Sequence, residues 1–240
     1  MITPYKDNKS GKKEQVAQMF NNIARRYDFL NHFLSLGIDN IWRRKAIHCL
    51  KDISTEPVIL DVASGTGDLA IAALKLNPKK IIGIDISEEM LNIGIQKINK
   101  KGYQNIIELK KGDSENIEFD NDFFDGLTVA FGVRNFENLN KGLSEMYRVL
   151  KPGGKAVILE FSKPRLFPVK QLYDFYFKAV LPMLGKIISK DSSAYTYLPE
   201  SVNAFPEREQ FIQELENLGF KNCTFKPLSF GIATIYVGLK

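Results

Sequence analysis

One stretch, residues 58–68, constrains the fold more than any other part of the chain. It begins with an apolar run, Val58–Leu60, which is typical of a strand buried on both faces. Asp61 stands near the end of that run, and the turn after it holds Gly65 and Gly67, where the missing side chains let a ligand approach the backbone. Because ligands of open parallel sheets bind outside the carboxyl ends of the strands, this turn is predicted to be a ligand-binding loop.

The next predicted elements extend this pattern into a strand–helix–strand unit. A helix is predicted over Leu69–Leu76, and a second strand over 81–84 ends in Asp85. A carboxylate offers two acceptor oxygens, so Asp85 can bind both hydroxyls of a ribose. The unit therefore predicts a nucleoside-containing ligand.

Two cofactors fit this unit. The glycine turn, Gly65–Ala70, matches a dinucleotide fingerprint, which tolerates alanine at its last position. Asp61, however, would repel a pyrophosphate, whereas it suits the ammonium and sulfonium of S-adenosylmethionine. The sequence favours the second cofactor; a plain strand–helix turn with capping residues is the alternative.

The remaining pattern predicts an α/β fold: a doubly wound, seven-stranded, mostly parallel sheet. Helices alternate with strands up to Phe161, and a C-terminal antiparallel hairpin ends the chain. We expect a single domain over 1–240 with four segments: an N-terminal helical cover (1–55), a cofactor-binding core (56–162), a helical insertion (163–206), and a C-terminal helix and hairpin (207–240). The insertion is strongly apolar, which indicates either a helix packed on the core or a lid over an apolar substrate that touches a bilayer.

Bulk properties exclude several classes of protein. The chain has 240 residues, a formal net charge of +5 and two cysteines, Cys49 and Cys223, which do not form a metal-binding motif. The two histidines, His32 and His48, also lack metal-ligand spacing. No apolar run is long enough to span a membrane, and the N-terminus lacks the apolar core of a signal peptide. These features predict a cytoplasmic protein without a metal; the slight basic excess indicates a solvated surface, or contact with an anionic surface.

The whole pattern resembles the class I S-adenosylmethionine-dependent methyltransferases, and within them the demethylmenaquinone and ubiquinone-pathway C-methyltransferases. The match runs from about Glu14 to Lys240. Two stretches carry the narrower resemblance, 27–42 and 148–162, and the stretches 131–135 and 197–201 also resemble the family. The chain departs from the family pattern in having Asp39 and Asn40 where a His-Arg pair is frequent, and Ala130 where some members carry a serine.

The resemblance implies C-methylation of a prenylated hydroquinone, most closely the conversion of demethylmenaquinol to menaquinol, with S-adenosylmethionine as cofactor. Contact with a membrane surface and a homodimer stay open. The predicted site residues divide into two groups. The catalytic candidates are Arg134, Asn135 and Tyr197, with Asp28 and His32 as weaker candidates for a base. The cofactor-binding candidates are Asp61, Gly65, Thr66, Asp85, Asp113 and Ser114.

Other functions compete with this interpretation. A methyltransferase of another phenol or a lipid would share the cofactor site and differ in the insertion. A nucleic-acid methyltransferase is disfavoured because the chain lacks the Asn/Asp-Pro-Pro-aromatic loop that grips an extruded base. A dehydrogenase is disfavoured by Asp61. A non-catalytic cofactor-binding scaffold of a quinone-synthesis complex would bind the cofactor without turnover.

Overall fold

A seven-stranded sheet forms the centre of the protein. The computed structural model describes residues 2–35, 37–180 and 193–240, with side chains throughout except at 29–34 and 178. The strand order is β3-β2-β1-β4-β5-β7-β6, in which β1 to β5 are parallel and β7 is antiparallel to both of its neighbours. The strands are β1 Val58–Val62, β2 Lys80–Asp85, β3 Ile107–Lys111, β4 Phe124–Ala130, β5 Leu150–Phe161, β6 Lys221–Leu228 and β7 Ala233–Leu239. This order confirms the predicted fold class.

Helices precede the sheet and connect its strands. Within the described ranges they are α1 Lys12–Leu34, α2 Ile38–Cys49, α3 Asp68–Ala73, α4 Glu88–Lys100, α5 Leu139–Val149, α6 Val169–Phe175, α7 Ser193–Ala204 and α8 Glu209–Asn217. A π-helical stretch, Tyr176–Val180, continues α6. None of the helices in the described part of the chain is long and apolar enough to cross a bilayer.

Burial on both faces explains why the central strands read as continuous apolar runs. Ile59 and Leu60 of β1 point to opposite faces, and neither is exposed. Ile59 packs with α3 and α4 on one side, whereas Leu60 belongs to the cluster formed with α5 and α8 on the other. The parallel strands thus have both faces covered, and their carboxyl ends meet at one edge.

The structure differs from the predicted boundaries in several places. The predicted stop at Lys151–Gly154 lies inside β5, because Leu150 pairs with Phe124 before a register shift to the Gly126–Lys155 pair. Strand β3 begins two residues later than predicted, and α2 begins at Ile38 rather than Ile41. By contrast, Ser87 caps α4 as predicted, accepting a hydrogen bond from the Met90 amide.

The insertion after β5 is helical in its described parts. It contains α6, the stretch Tyr176–Val180 and α7. Several apolar residues on which the lid interpretation depended lie in 181–192, outside the described residues.

Candidate active site

The glycine turn leaves β1 at the edge where the parallel strands end. Gly65 and Gly67 have φ values of 54° and 79°, a region that disfavours other residues. A side chain on Gly67 would also approach the Leu109 side chain to 3.3 Å. Ser64 donates its amide to the Ile84 carbonyl (3.0 Å), which fixes the turn against β2. The turn therefore needs glycine for both conformation and space.

Asp85 holds the glycine turn from the end of β2. Its carboxylate accepts hydrogen bonds from the amides of Gly65 and Ser87, both at 2.8 Å. Desolvation raises the pKa of Asp85, and these hydrogen bonds oppose that rise. Because a carboxylate has about four lone-pair sites, both oxygens can still accept from a ligand.

A cavity opens beside the turn, and we call it the loop cavity. Four of the six predicted cofactor residues line it: Gly65, Asp85, Asp113 and Ser114. Asp113 forms an ion pair with Lys13 of α1 at 2.7 Å and accepts a hydrogen bond from the Glu115 amide. Their contact with a cofactor stays a prediction.

The other two predicted cofactor residues lie outside the lining of the loop cavity. Asp61 is 1% exposed and accepts a hydrogen bond from the Thr128 hydroxyl at 2.7 Å, whereas its Oδ2 is buried without a partner among the described residues. The Thr66 hydroxyl donates to Asp28 at 2.5 Å, which leaves the Thr66 amide for a ligand. Neither side chain belongs to the lining of the loop cavity, and the contact of Asp61 and Thr66 with a cofactor stays a prediction.

Asp61 gives stability a pH dependence. Burial, with the neighbouring Asp85 charge, raises the pKa of Asp61 from 3.8 to about 7. The folded protein binds this proton more tightly than the unfolded chain, so the stabilisation is complete below pH 3.8 and disappears as the pH rises to about 7. Relative to Asp61→Asn, we expect wild-type unfolding free energy to fall by up to about 1.4 kcal/mol per pH unit in that window.

Urea unfolding of both proteins across this pH range measures the slope, with Asp120→Asn, an exposed carboxylate, as control. A difference between wild type and Asp61→Asn that does not change with pH would contradict the assignment.

Charged hydrogen bonds hold helix α1 against the loop cavity. The sequence analysis did not predict these contacts. Asp28 accepts hydrogen bonds from Thr66 and from Lys97 of α4, the latter at 2.6 Å, and Lys97 also pairs with Asp68 at 2.7 Å. At the start of α1, Lys12 donates to the carbonyls of Arg134 and Phe136, while burial lowers its pKa to about 8. Asp28 is thus engaged in holding α1, which argues against its suggested role as a base; the His32 side chain lies outside the described residues.

A second, larger cavity adjoins the first, and we call it the apolar cavity. Its volume is about 510 Å³, and most of its lining is aromatic or aliphatic. Three residues line both cavities: Phe20, Tyr27 and Phe131. Phe131 stacks on Phe161 with 4.4 Å between ring centroids. The two cavities therefore adjoin each other at these three side chains.

Arg134 brings a buried positive charge to the wall of the apolar cavity. Its Nη1 donates to Glu160 at 2.8 Å and to the Phe131 carbonyl at 2.5 Å. Glu160 is fully buried; burial raises its pKa and the Arg134 charge lowers it. The Nε of Arg134 is buried without a hydrogen-bond partner among the described residues. Arg134 can thus offer a further donor to a ligand without leaving Glu160.

Asn135 lies on the other side of the same turn. It lines the loop cavity rather than the apolar cavity, and its Nδ2 donates to the Phe131 carbonyl at 3.3 Å. Its Oδ1 is buried without a partner in the described part of the structure. The predicted pair Arg134–Asn135 therefore faces the two cavities separately.

Two tyrosines carry unused hydroxyl groups in the apolar cavity. The hydroxyls of Tyr197 and Tyr173 are buried, and neither has a hydrogen-bond partner among the described residues. Burial raises the pKa of Tyr197 to about 12 and raises that of Tyr173 as well, while the nearby Arg134 charge lowers both. Sequence reasoning selected Tyr197 and missed Tyr173, whose segment reads as an ordinary amphipathic helix. Buried hydroxyls without partners are costly, which suggests that a ligand satisfies them.

Asp39, at the first position of the frequent His-Arg pair of the resembled family, forms a local ion pair. Asp39 is buried, pairs with Arg43 and accepts a hydrogen bond from the Ser35 hydroxyl at 2.7 Å. All three residues line the apolar cavity. The position of the frequent His-Arg pair is therefore taken here by a carboxylate that Arg43 neutralises.

Comparison with known proteins agrees with this geometry. The model of the ubiE/COQ5 methyltransferase family matches residues 8–240. The demethylmenaquinone methyltransferase of Bacteroides fragilis is 52% identical over 240 residues, covering 100% of this chain and 97% of that protein. The ubiquinone/menaquinone biosynthesis C-methyltransferase UbiE of Geotalea daltonii is 50% identical over 231 residues, covering 95% and 97%.

Solved structures support the fold alone. A SAM-dependent methyltransferase of Thermotoga maritima, described as a possible histamine N-methyltransferase, superposes with a TM-score of 0.64 at 17% identity, covering 93% of this chain and 99% of that one. The [4+2]-cyclase SpnF superposes with a TM-score of 0.70 at 15% identity, covering 96% and 97%. Since a cyclase shares the fold, the reaction must be argued from the site.

Proposed function

The chain belongs to the ubiE/COQ5 methyltransferase family, and on that premise we propose that it transfers a methyl group from S-adenosylmethionine to a ring carbon of demethylmenaquinol, giving menaquinol. One observation supports this proposal more strongly than the others do. An acid-lined loop cavity and a large apolar cavity meet at Phe20, Tyr27 and Phe131. That arrangement suits a polar, cationic methyl donor on one side and a prenylated ring on the other.

The chemistry of the loop cavity fits the proposed cofactor. Four carboxylate residues line it (Asp85, Asp113, Glu115 and Glu137), with Lys13 as the counter-charge. Carboxylates favour the cationic groups of S-adenosylmethionine, and Asp85 has acceptor capacity for the ribose hydroxyls. We assign the adenine to Asp113 and Ser114 and the methionyl carboxylate to the Thr66 amide. When bound, S-adenosylmethionine supplies an electrophilic methyl group.

The apolar cavity suits the quinol ring and the first part of a prenyl chain. Its volume of about 510 Å³ is within the usual range for ligand sites, and its few polar groups lie among aromatic side chains. The Arg134 Nε and the hydroxyls of Tyr173 and Tyr197 are buried donors without a hydrogen-bond partner among the described residues. We assign them to the quinol oxygens.

These groups account for activation of the ring. Loss of a phenolic proton pushes electron density onto the adjacent ring carbon, which makes it a better nucleophile. The Arg134 guanidinium stabilises the resulting phenolate by a charge-assisted hydrogen bond, and the two tyrosines orient it. The new carbon–carbon bond forms as the sulfur–methyl bond breaks and sulfur keeps the electron pair. After methyl transfer the ring carbon releases its hydrogen as a proton, which restores aromaticity, and both this proton and the phenolic proton pass to water.

Substitution of either tyrosine by phenylalanine tests this assignment. We expect Tyr173→Phe and Tyr197→Phe each to lower kcat about 10-fold to 100-fold, because a donor to the quinol oxygen is lost. Unfolding free energy should stay the same or rise, since the deleted hydroxyls have no partner in the described structure. Tyr147→Phe is the matched control, because Tyr147 packs on Phe220 away from both cavities. Turnover equal to that of the control would remove the tyrosines from the mechanism.

Transfer of labelled methyl from S-adenosylmethionine to demethylmenaquinol, under reducing conditions in detergent, tests the function. Label in the quinone fraction supports it. Cofactor binding without label in that fraction would overturn it and would favour methylation of another phenol or lipid, or a non-catalytic scaffold. We further propose that the protein works at the inner face of the membrane, where a prenylated quinol resides.

A further inference from the structure

The most exposed large apolar side chains gather in two short segments. Among the described residues, Leu166, Phe167, Leu172, Phe175 and Phe230 are between 64% and 82% exposed. Every other exposed large apolar side chain in the described structure is at most 49% exposed. Leu166 and Phe167 precede α6. Leu172 and Phe175 belong to α6 and, being three residues apart, lie on the same face of the helix. Such a concentration of exposed apolar side chains is unusual on a surface that contacts only water.

Hydrogen bonds bring these two segments together with α2. The Ser162 hydroxyl, just before the first segment, donates to the Gly231 carbonyl at 2.7 Å. The Trp42 indole of α2 donates to the Ser229 hydroxyl at 2.9 Å. Ile38 and Ile41, both exposed, lie on α2 within one turn of Trp42. These hydrogen bonds therefore join the three parts of the chain that carry the exposed apolar groups.

All three elements also line the apolar cavity. Leu172 of α6, Ser229 of the turn and Ile38 of α2 are among its lining residues. We call the set the apolar rim. Its members are Ile38, Ile41, Leu166, Phe167, Leu172, Phe175 and Phe230.

Positive charges flank the apolar rim. Arg44 and Lys45 lie one turn beyond Ile41 and are exposed, as are Arg165 and Lys170 beside Phe167. The acidic groups nearby are fewer. Among the described residues of these segments they are Asp174 of α6, which is half-buried, and the buried Glu207, which lies 3.5 Å from Arg165. Cations around an apolar surface are the combination that attracts an anionic lipid interface.

We propose that the apolar rim docks on an anionic lipid bilayer, with Phe167, Phe175 and Phe230 inserted among the lipids and the cavity entrance facing the acyl chains. This inference rests on the proposed function, because a prenylated quinol has its chain in the bilayer. A docked entrance lets the ring reach Arg134 while the rest of the prenyl chain stays in lipid. The continuity between the apolar rim and the cavity lining favours a bilayer over a folded partner.

Sedimentation of the full chain with vesicles tests the proposal. The probes are vesicles of phosphatidylcholine alone and of phosphatidylcholine with phosphatidylglycerol. We expect wild type to bind the anionic vesicles, and Phe167→Ser/Phe175→Ser/Phe230→Ser to lower the bound-to-free ratio by about tenfold or more. Arg44→Gln/Lys170→Gln should weaken binding to anionic vesicles, as should added salt. Ile95→Ser, at a 38% exposed position on α4, is the matched control and should bind as wild type does.

Two further measurements separate this proposal from its alternatives. The three phenylalanines are not among the cavity-lining residues, so the triple variant should methylate a short-chain quinol in solution at the wild-type rate. Loss of vesicle binding with that rate preserved supports the docking surface.

The docking surface would be overturned if the triple variant bound vesicles as wild type does, or if the wild type did not bind vesicles. A concentration-dependent dimer that the triple variant abolishes, without vesicle binding, would assign the rim to a second copy. Wild-type vesicle binding without methyl transfer to any quinol would overturn the proposed function alone.

Discussion

Replacing Arg134 by methionine is expected to lower kcat for methyl transfer by about 100-fold or more. A single donor that stabilises developing negative charge is typically worth that much. The Arg134 charge lowers the pKa of Tyr173 and of Tyr197, the two tyrosines whose hydroxyls have no partner among the described residues. KM for the quinol should change less than kcat, because the phenolate forms only as the reaction proceeds.

The single substitution also has a structural consequence that must be separated from catalysis. It leaves Glu160 fully buried without its guanidinium partner, which costs about 3–5 kcal/mol. We therefore expect Arg134→Met/Glu160→Gln, in which the buried charge is removed together with its partner, to recover most of the stability and none of the activity. Steady-state kinetics and urea unfolding of both variants make the test. A folded double variant with wild-type kcat would exclude Arg134 from the chemistry.

Replacing Asp85 by asparagine is expected to raise the dissociation constant for S-adenosylmethionine about 100-fold, equal to about 2.7 kcal/mol. The two carboxylate oxygens each accept one hydrogen bond, from the amides of Gly65 and Ser87, and asparagine keeps only one acceptor oxygen, so one of these bonds is lost. The variant thus loses a ribose acceptor and loosens the glycine turn at the same time. Titration calorimetry with S-adenosylmethionine measures the change.

Asp125→Asn is the matched control for Asp85→Asn. Asp125 also lies in a central strand and accepts a hydrogen bond from a backbone amide, that of Val58, at 2.8 Å. It does not line either cavity. The control should lose some stability and keep its cofactor affinity. Equal affinities for the two variants would show that Asp85 acts through the fold alone.

The sequence predicted those features that local pattern determines. The strand Phe124–Ala130 has the predicted boundaries, because an apolar run buried on both faces has few alternatives. The cap at Ser87 was recognised from residue type and position. Four cofactor candidates lie on one cavity because the carboxyl ends of parallel strands share an edge.

Features that depend on distant partners could not be predicted. The Thr66 hydroxyl is taken by Asp28, 38 residues away, and that contact depends on how α1 crosses the loop. The pleat of β1 directs Asp61 to Thr128 of β4, which a spacing argument does not reveal. The Tyr173 hydroxyl is buried without a hydrogen-bond partner among the described residues, and the local sequence pattern does not indicate this.

The central claim is that the two cavities bring a methyl donor to a ring carbon, and the position of the new methyl group tests it most directly. The substrate is demethylmenaquinol that carries deuterium at the unsubstituted ring carbon, and the donor is S-adenosylmethionine with an unlabelled methyl group. The account predicts a product that gains one methyl group and loses the ring deuterium, with fragment masses that place the methyl group on the quinone ring. A product that keeps the ring deuterium and carries the methyl group on oxygen would contradict the account.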